Sequence, residues 1–180
     1  TLDLDGNSGS AKVGQDGAAA SYVGRVHKFD GVKIAPEAEI NLIDSDFISE
    51  MVVTLTNGVA NNSGVSDELL LTQLGSDILT NKNLSISKES NAGVNNAKIT
   101  ITGNESENVY NQILQNISFK SAETPSSADR KITVEVTDVD KAGTTNKTNQ
   151  KLDYTDPNNV SVISNQKQSI TVTIDENPLA

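Results

Sequence analysis

Met51, Val53 and Leu55 alternate with Val52, Thr54 and Thr56, and this period of two predicts a strand with one buried face. Residues 97–102 (AKITIT), 117–120 (ISFK), 131–138 (KITVEVTD) and 169–174 (SITVTI) read as further strands, Gly103 closing the first of them. Nearer the start, residues 20–29 and 32–35 form two short extended runs split by Asp30 and Gly31, with Pro36 ending the second. Residues 69–72 (LLLT) are a short apolar run of the kind a core strand shows. The turn-rich stretch before them, 56–64, predicts a hairpin-like connection.

Helical spacing occurs once. Val109, Tyr110, Ile113, Leu114 and Ile117 recur at a helical period, and Asn104 with Glu107 three residues later has the form of a capping box. One short helix is expected there, crossing from one sheet edge to the other between strands. Residues 75–96 scatter Ile78, Leu79, Leu84 and Ile86 among polar residues, which predicts irregular chain with a short strand at 84–87. The stretch between Asp138 and Ser169 is polar and rich in Asn, Thr and Lys, with Val160, Val162 and Ile163 as material for one small strand. Loops this long are usually functional or disordered.

The elements together predict an all-β chain forming one domain over residues 1–180, a length sufficient for a single core. Composition narrows its chemistry. Asp and Glu number 24 against 14 Lys and Arg, a formal charge of -10, which repels nucleic-acid phosphate and anionic membrane surfaces. The absence of Cys excludes disulfides and thiolate metal sites. A chain this acidic with 3% aromatic residues is most simply held by a hard cation, and Ca²⁺ is the expected staple. No apolar run is long enough for a membrane-spanning helix, and the first residues have no signal-peptide pattern, so the chain reads as a module of a longer protein.

Three Asp-x-Asp pairs suit Ca²⁺, which takes about six to eight oxygen ligands: Asp3/Asp5 with Asn7, Asp44/Asp46, and Asp138/Asp140. The plain alternative is a set of solvated turn acids. Asp30, before Gly31, reads as a β-turn residue. The Asp3 segment is no EF-hand loop, because no Glu stands at its twelfth position. In the long polar stretch, Asp153 and Asp156 flank Tyr154, a set suited to hold Ca²⁺ and grip a peptide or sugar, or else an Asp-Pro turn anchored by its ring. His27 is the single histidine and has no nucleophile partner, and nothing selects two carboxylates for hydrolysis, so no enzyme is expected.

The order of short motifs across nearly the whole chain resembles a cadherin-like repeat of giant repeats-in-toxin adhesins of Gram-negative bacteria. The residues that carry it are Leu2 to Asp5 with Ser8 and Gly9, Tyr22 to Phe29 with Asp30 and Gly31, Val32 to Ala35, and Ile43 to Asp46. Val53 to Asn57, Ile99 to Gly103, Tyr110 to Phe119, Pro125 to Val134, and Ser169 to Ile174 continue it. The resemblance implies a cadherin-like, immunoglobulin-like antiparallel β-sandwich with one short crossover helix and long loops. Asp30, at the family's acidic-Gly position, would be a further ligand joining Asp44, Asp46 and Asp138 at one end of the sandwich, and residues 1–10 and 175–180 would be linker edges, with Asp175, Glu176 and Asn177 ligating an interdomain ion. It also implies a secreted, cell-surface setting with adjacent adhesin domains as neighbours. The chain departs from plain spacer repeats in two expansions, 74–96 and 138–169. The departure points to the specialised members that use bound Ca²⁺ to hold the C-terminal carboxylate of a target peptide. The expected partner is therefore a peptide or protein on a host or neighbouring cell surface. A glycan ligand, and a structural extender repeat that binds only its neighbours, are the alternatives.

Overall fold

The computed structural model describes residues 2–3, 18–23, 30–40, 47–60, 66–122, 130–139 and 165–175. In chain order the elements are strands β1 (Leu2–Asp3), β2 (Ala18–Val23), β3 (Val32–Lys33), β4 (Glu39–Ile40), β5 (Phe47–Leu55) and β6 (Glu68–Leu71). Helix α1 (Gln73–Asn81), strands β7 (Ser85–Asn91) and β8 (Val94–Glu105), helix α2 (Glu107–Leu114), and strands β9 (Ile117–Lys120), β10 (Arg130–Val139) and β11 (Asn165–Asp175) follow.

Two main sheets form. One has six strands in the order β2-β11-β10-β5-β8-β7, the other three in the order β3-β9-β6, and β1 pairs with β4 as a small ribbon. All pairs are antiparallel except β2 with β11. The fold is an all-β sandwich. The period of two explains it: Met51, Val53 and Leu55 on β5, Ile99 and Ile101 on β8, Ile132 and Val134 on β10, and Ile170 and Val172 on β11 are all buried. They share one core with Leu69, Ile117 and Phe119 of the smaller sheet and with Val109, Tyr110, Ile113 and Leu114 of α2.

Several expectations are corrected. Residues 75–96 are regular rather than irregular, and the short strand expected at 84–87 falls at the start of β7. Thr72 caps α1, its hydroxyl accepting from the Gly75 amide, and β7 and β8 then form a hairpin. The helix escaped notice because it buries only Gly75 and Leu79, too narrow a stripe to stand out as a period. Gly75 lets α1 pack closely here, since a Cβ would meet the Leu71 side chain at 2.5 Å and force it to shift. The β7–β8 turn places Ala92 and Gly93 at φ 50 and 81, the positive values a two-residue hairpin loop demands.

β5 and β6 belong to different sheets, so the connection after β5 does not join neighbouring strands, yet it closes in hairpin-like fashion, with Ala60 bridging antiparallel to Ser66. Helix α2 is the expected crossover, carrying the chain from β8 in the large sheet to β9 in the small one. Its cap is Ser106, whose hydroxyl accepts from the Val109 amide, and not Asn104, which is still part of β8. β8 also continues through Gly103, where strand closure was expected.

Candidate functional site

Strand β10 runs the length of the large sheet, and Arg130 and Asp138 stand eight residues apart along it, about 26 Å at a strand's rise. The two ends of the sandwich are therefore separate chemical environments.

At the Arg130 end, Asp67 is fully buried and its carboxylate accepts from the Arg130 Nε–H at 2.6 Å, the Val59 amide at 2.7 Å and the Ala122 amide at 2.9 Å. The Asp67 amide returns a bond to the Val59 carbonyl at 2.8 Å. One carboxylate thus ties together the exit of β5, the entry to β6, the exit of β9 and the entry to β10. A charge is tolerated in the core because its partner is charged and its oxygens are hydrogen-bonded. Beside it, the Ser66 hydroxyl accepts from the Asn95 amide at 2.9 Å. This arrangement is scaffold.

At the opposite end, both ladders of β5 are irregular. The β5–β8 register shifts between Ile48 and Glu50, and the β5–β10 register shifts between Thr137 and Asp138. Ile48 stands opposite both Glu105 and Asp138, so the described backbone gathers Glu50, Glu105 and Asp138 around one bulged strand end. Tyr110 lies beneath. It is fully buried and its hydroxyl donates to the Gly103 carbonyl at 2.7 Å. Burial, with the neighbouring Glu50 and Glu105 carboxylates, holds its pKa well above the ordinary phenol value. Helix α2 closes this end through Asn111, whose side-chain oxygen accepts from the Ile40 amide at 2.6 Å, and α2's C-cap residue, Gln115, donates to the Ala38 carbonyl at 2.8 Å.

Connectivity adds to the same end. Ile40 of β4 and Phe47 of β5 both lie there, so segment 41–46, which carries Asp44 and Asp46, leaves and rejoins the sandwich at this end. Val139 pairs with Phe47 and Asn165 with Thr137, so segment 140–164, with Asp140, Asp153, Tyr154 and Asp156, does likewise. Asp3 pairs with Glu39 in the adjoining ribbon.

Asp5, Asn7, Asp44, Asp46, Asp140, Asp153, Tyr154 and Asp156 lie outside the described residues, as does the small strand expected around Val160. Among the described residues, no group of three or more His, Asp or Glu side chains is arranged to hold a metal ion.

The expectation that Asp30 joins Asp138 is corrected. Asp30 is an exposed turn residue, and Gly31 after it sits against the Phe119 carbonyl, beside the β9 exit that Asp67 clasps. That is the Arg130 end, a strand's length from Asp138. Asp175, the last residue of β11 and opposite Val23, also falls at the Arg130 end. Sequence reading missed Asp67 entirely. The one available signal was an acid two residues ahead of the apolar run of β6, with Glu68 between them. No family model, no curated protein and no solved structure matches the chain.

Proposed function

We propose that this chain is a calcium-dependent ligand-binding module of a large secreted bacterial adhesin, taking a peptide or protein C-terminus at the end of the sandwich where segments 41–46 and 140–164 emerge. The observation that carries the reading is that the described residues flanking both segments, Ile40, Phe47, Val139 and Asn165, lie at the Asp138 end, where Glu50 and Glu105 flank a bulged strand end. A set of carboxylate and carbonyl oxygens suits Ca²⁺, a hard cation that accepts irregular geometry and leaves room for a ligand oxygen. In this reading Asp44, Asp46, Asp138 and Asp140 hold the ion. Asp153, Tyr154 and Asp156 face the ligand, and Asp3, with Asp5 and Asn7, serves a neighbouring ion. The motif order shared with adhesin repeats supplies the extracellular setting.

An extender repeat is the second reading, favoured by Asp175 standing at the opposite end, where an adjoining domain would attach. The full chain decides between them when titrated with Ca²⁺ and then presented with an array of peptides with free C-termini and of glycans. The proposed function requires capture of free-carboxylate peptides that is lost in EDTA and lost on amidation of the peptide. Stabilisation by Ca²⁺ with no ligand on either array would establish the extender, and capture of glycans alone would transfer the site to a carbohydrate.

A further inference from the structure

Strand β7 is the outermost strand of the large sheet among the described residues, hydrogen-bonded to β8 on one side only. All seven of its residues are exposed, and none belongs to the buried core. Ordering seven residues with so little burial is costly. The β8 ladder and the tight turn at Ala92 and Gly93 hold it open as an extended edge.

The edge is patterned. Ile86 and Lys88 stand opposite Ile101 and Ile99, sharing the core-side face, while Ser85, Ser87 and Glu89 stand opposite Thr102, Thr100 and Lys98 on the other face. Glu89 is matched by Lys98 at 3.9 Å. Lys88 makes no ion pair among the described residues, and Ile86 is 38% exposed. A lysine on the core side of an edge strand repels indiscriminate strand pairing. The same charge becomes attractive when the incoming strand sets a carboxylate against it, so it acts as a selector.

We propose that β7 is a docking edge for an extended segment of another polypeptide, added antiparallel as a further strand, with an acidic side chain opposite Lys88 and a β-branched apolar one two residues later opposite Ile86. The added strand extends two rows already built, Ile99–Lys88 and Ile101–Ile86, and gains main-chain hydrogen bonds that β7 offers on its free side. A second copy pairing through β7 does not satisfy the pattern, because register choices that centre on Lys88 set it against itself. The edge begins opposite Thr102, near the Glu105 end of β8, but the proposal does not rest on the calcium reading.

The probe is a fluorescein-labelled Thr-Lys-Glu-Thr-Val-Thr amide, whose residues in order face positions 90 to 85, with anisotropy as the readout in the presence of EDTA. It should bind, and replacing its Glu by Lys should weaken binding roughly fivefold or more, the difference between an attractive and a repulsive cross-strand pair. Lys88→Glu, an exposed substitution that leaves the fold intact, should reverse that preference. Of two alternately N-methylated peptides, one blocked on each edge, only one should lose binding. Absence of binding at millimolar peptide, an unreversed preference in Lys88→Glu, or equal behaviour of the two N-methylated forms would overturn the proposal.

Discussion

The two ends of the sandwich handle negative charge in opposite ways. At one, Asp67 is sealed in the core and its charge is met inside the protein, by Arg130 and two backbone amides. At the other, Glu50 and Glu105 crowd the buried Tyr110, Asp138 stands at a register shift, and two acid-bearing segments depart. A closed ion pair completes a scaffold and has nothing left to offer a ligand. Acids at a break in the ladders are left without such an internal partner among the described residues, and the proposed calcium reading rests on that contrast.

The largest effect expected from breaking this contrast lies at the closed end. Arg130→Met leaves Asp67 buried without its cation and should cost about 3–5 kcal/mol in urea unfolding, where removing both charges together costs less. A loss below about 1 kcal/mol would mean that water reaches Asp67 and that this end is not closed.

A smaller effect belongs to the open end. Tyr110→Phe removes the donor to the Gly103 carbonyl and should cost about 1–3 kcal/mol, because that acceptor is left without its partner. The variant also has a pH signature. Burial and the two glutamates raise the folded-state pKa of Tyr110 above the unfolded value of 10.0, so the unfolded chain releases this proton first. The contribution is fully present below pH 10 and is lost as pH climbs toward the folded value. Stability should therefore fall with alkaline pH in the native protein and fall less steeply in Tyr110→Phe, as followed by denaturant midpoints across that range.

Particular residues show how far the sequence could be read. The alternation at Met51, Val53 and Leu55, and at Ile132 and Val134, located the strands of the large sheet, because period two is a direct image of a half-buried strand. Val109, Tyr110, Ile113 and Leu114 located α2 for the matching reason. Helix α1 was illegible because it touches the core with so little, and β7 was legible only at its start, around 84–87, because a strand with all its residues exposed carries no sustained apolar alternation. The division of β5 and β6 between sheets could not be read locally, since pairing across the sandwich leaves no mark on the intervening turn. The Asp-x-Asp pairs flagged acids without their neighbours in space. Only the strand register separates Asp30 from Asp138, and only the fold brings Asp67 to Arg130 from 63 residues away.

Hydrogen exchange of the full chain with and without Ca²⁺ tests the difference between the ends most directly. A bound ion stabilises the native state by mass action, about 2.7 kcal/mol at a hundredfold excess over the dissociation constant, and local protection reports where that stabilisation is felt. Ca²⁺ should raise protection at 47–50, 102–105 and 137–139, around Glu50, Glu105 and Asp138, and EDTA should reverse it. Protection that does not change with Ca²⁺, or that rises only around Asp67 and Arg130, would contradict the account.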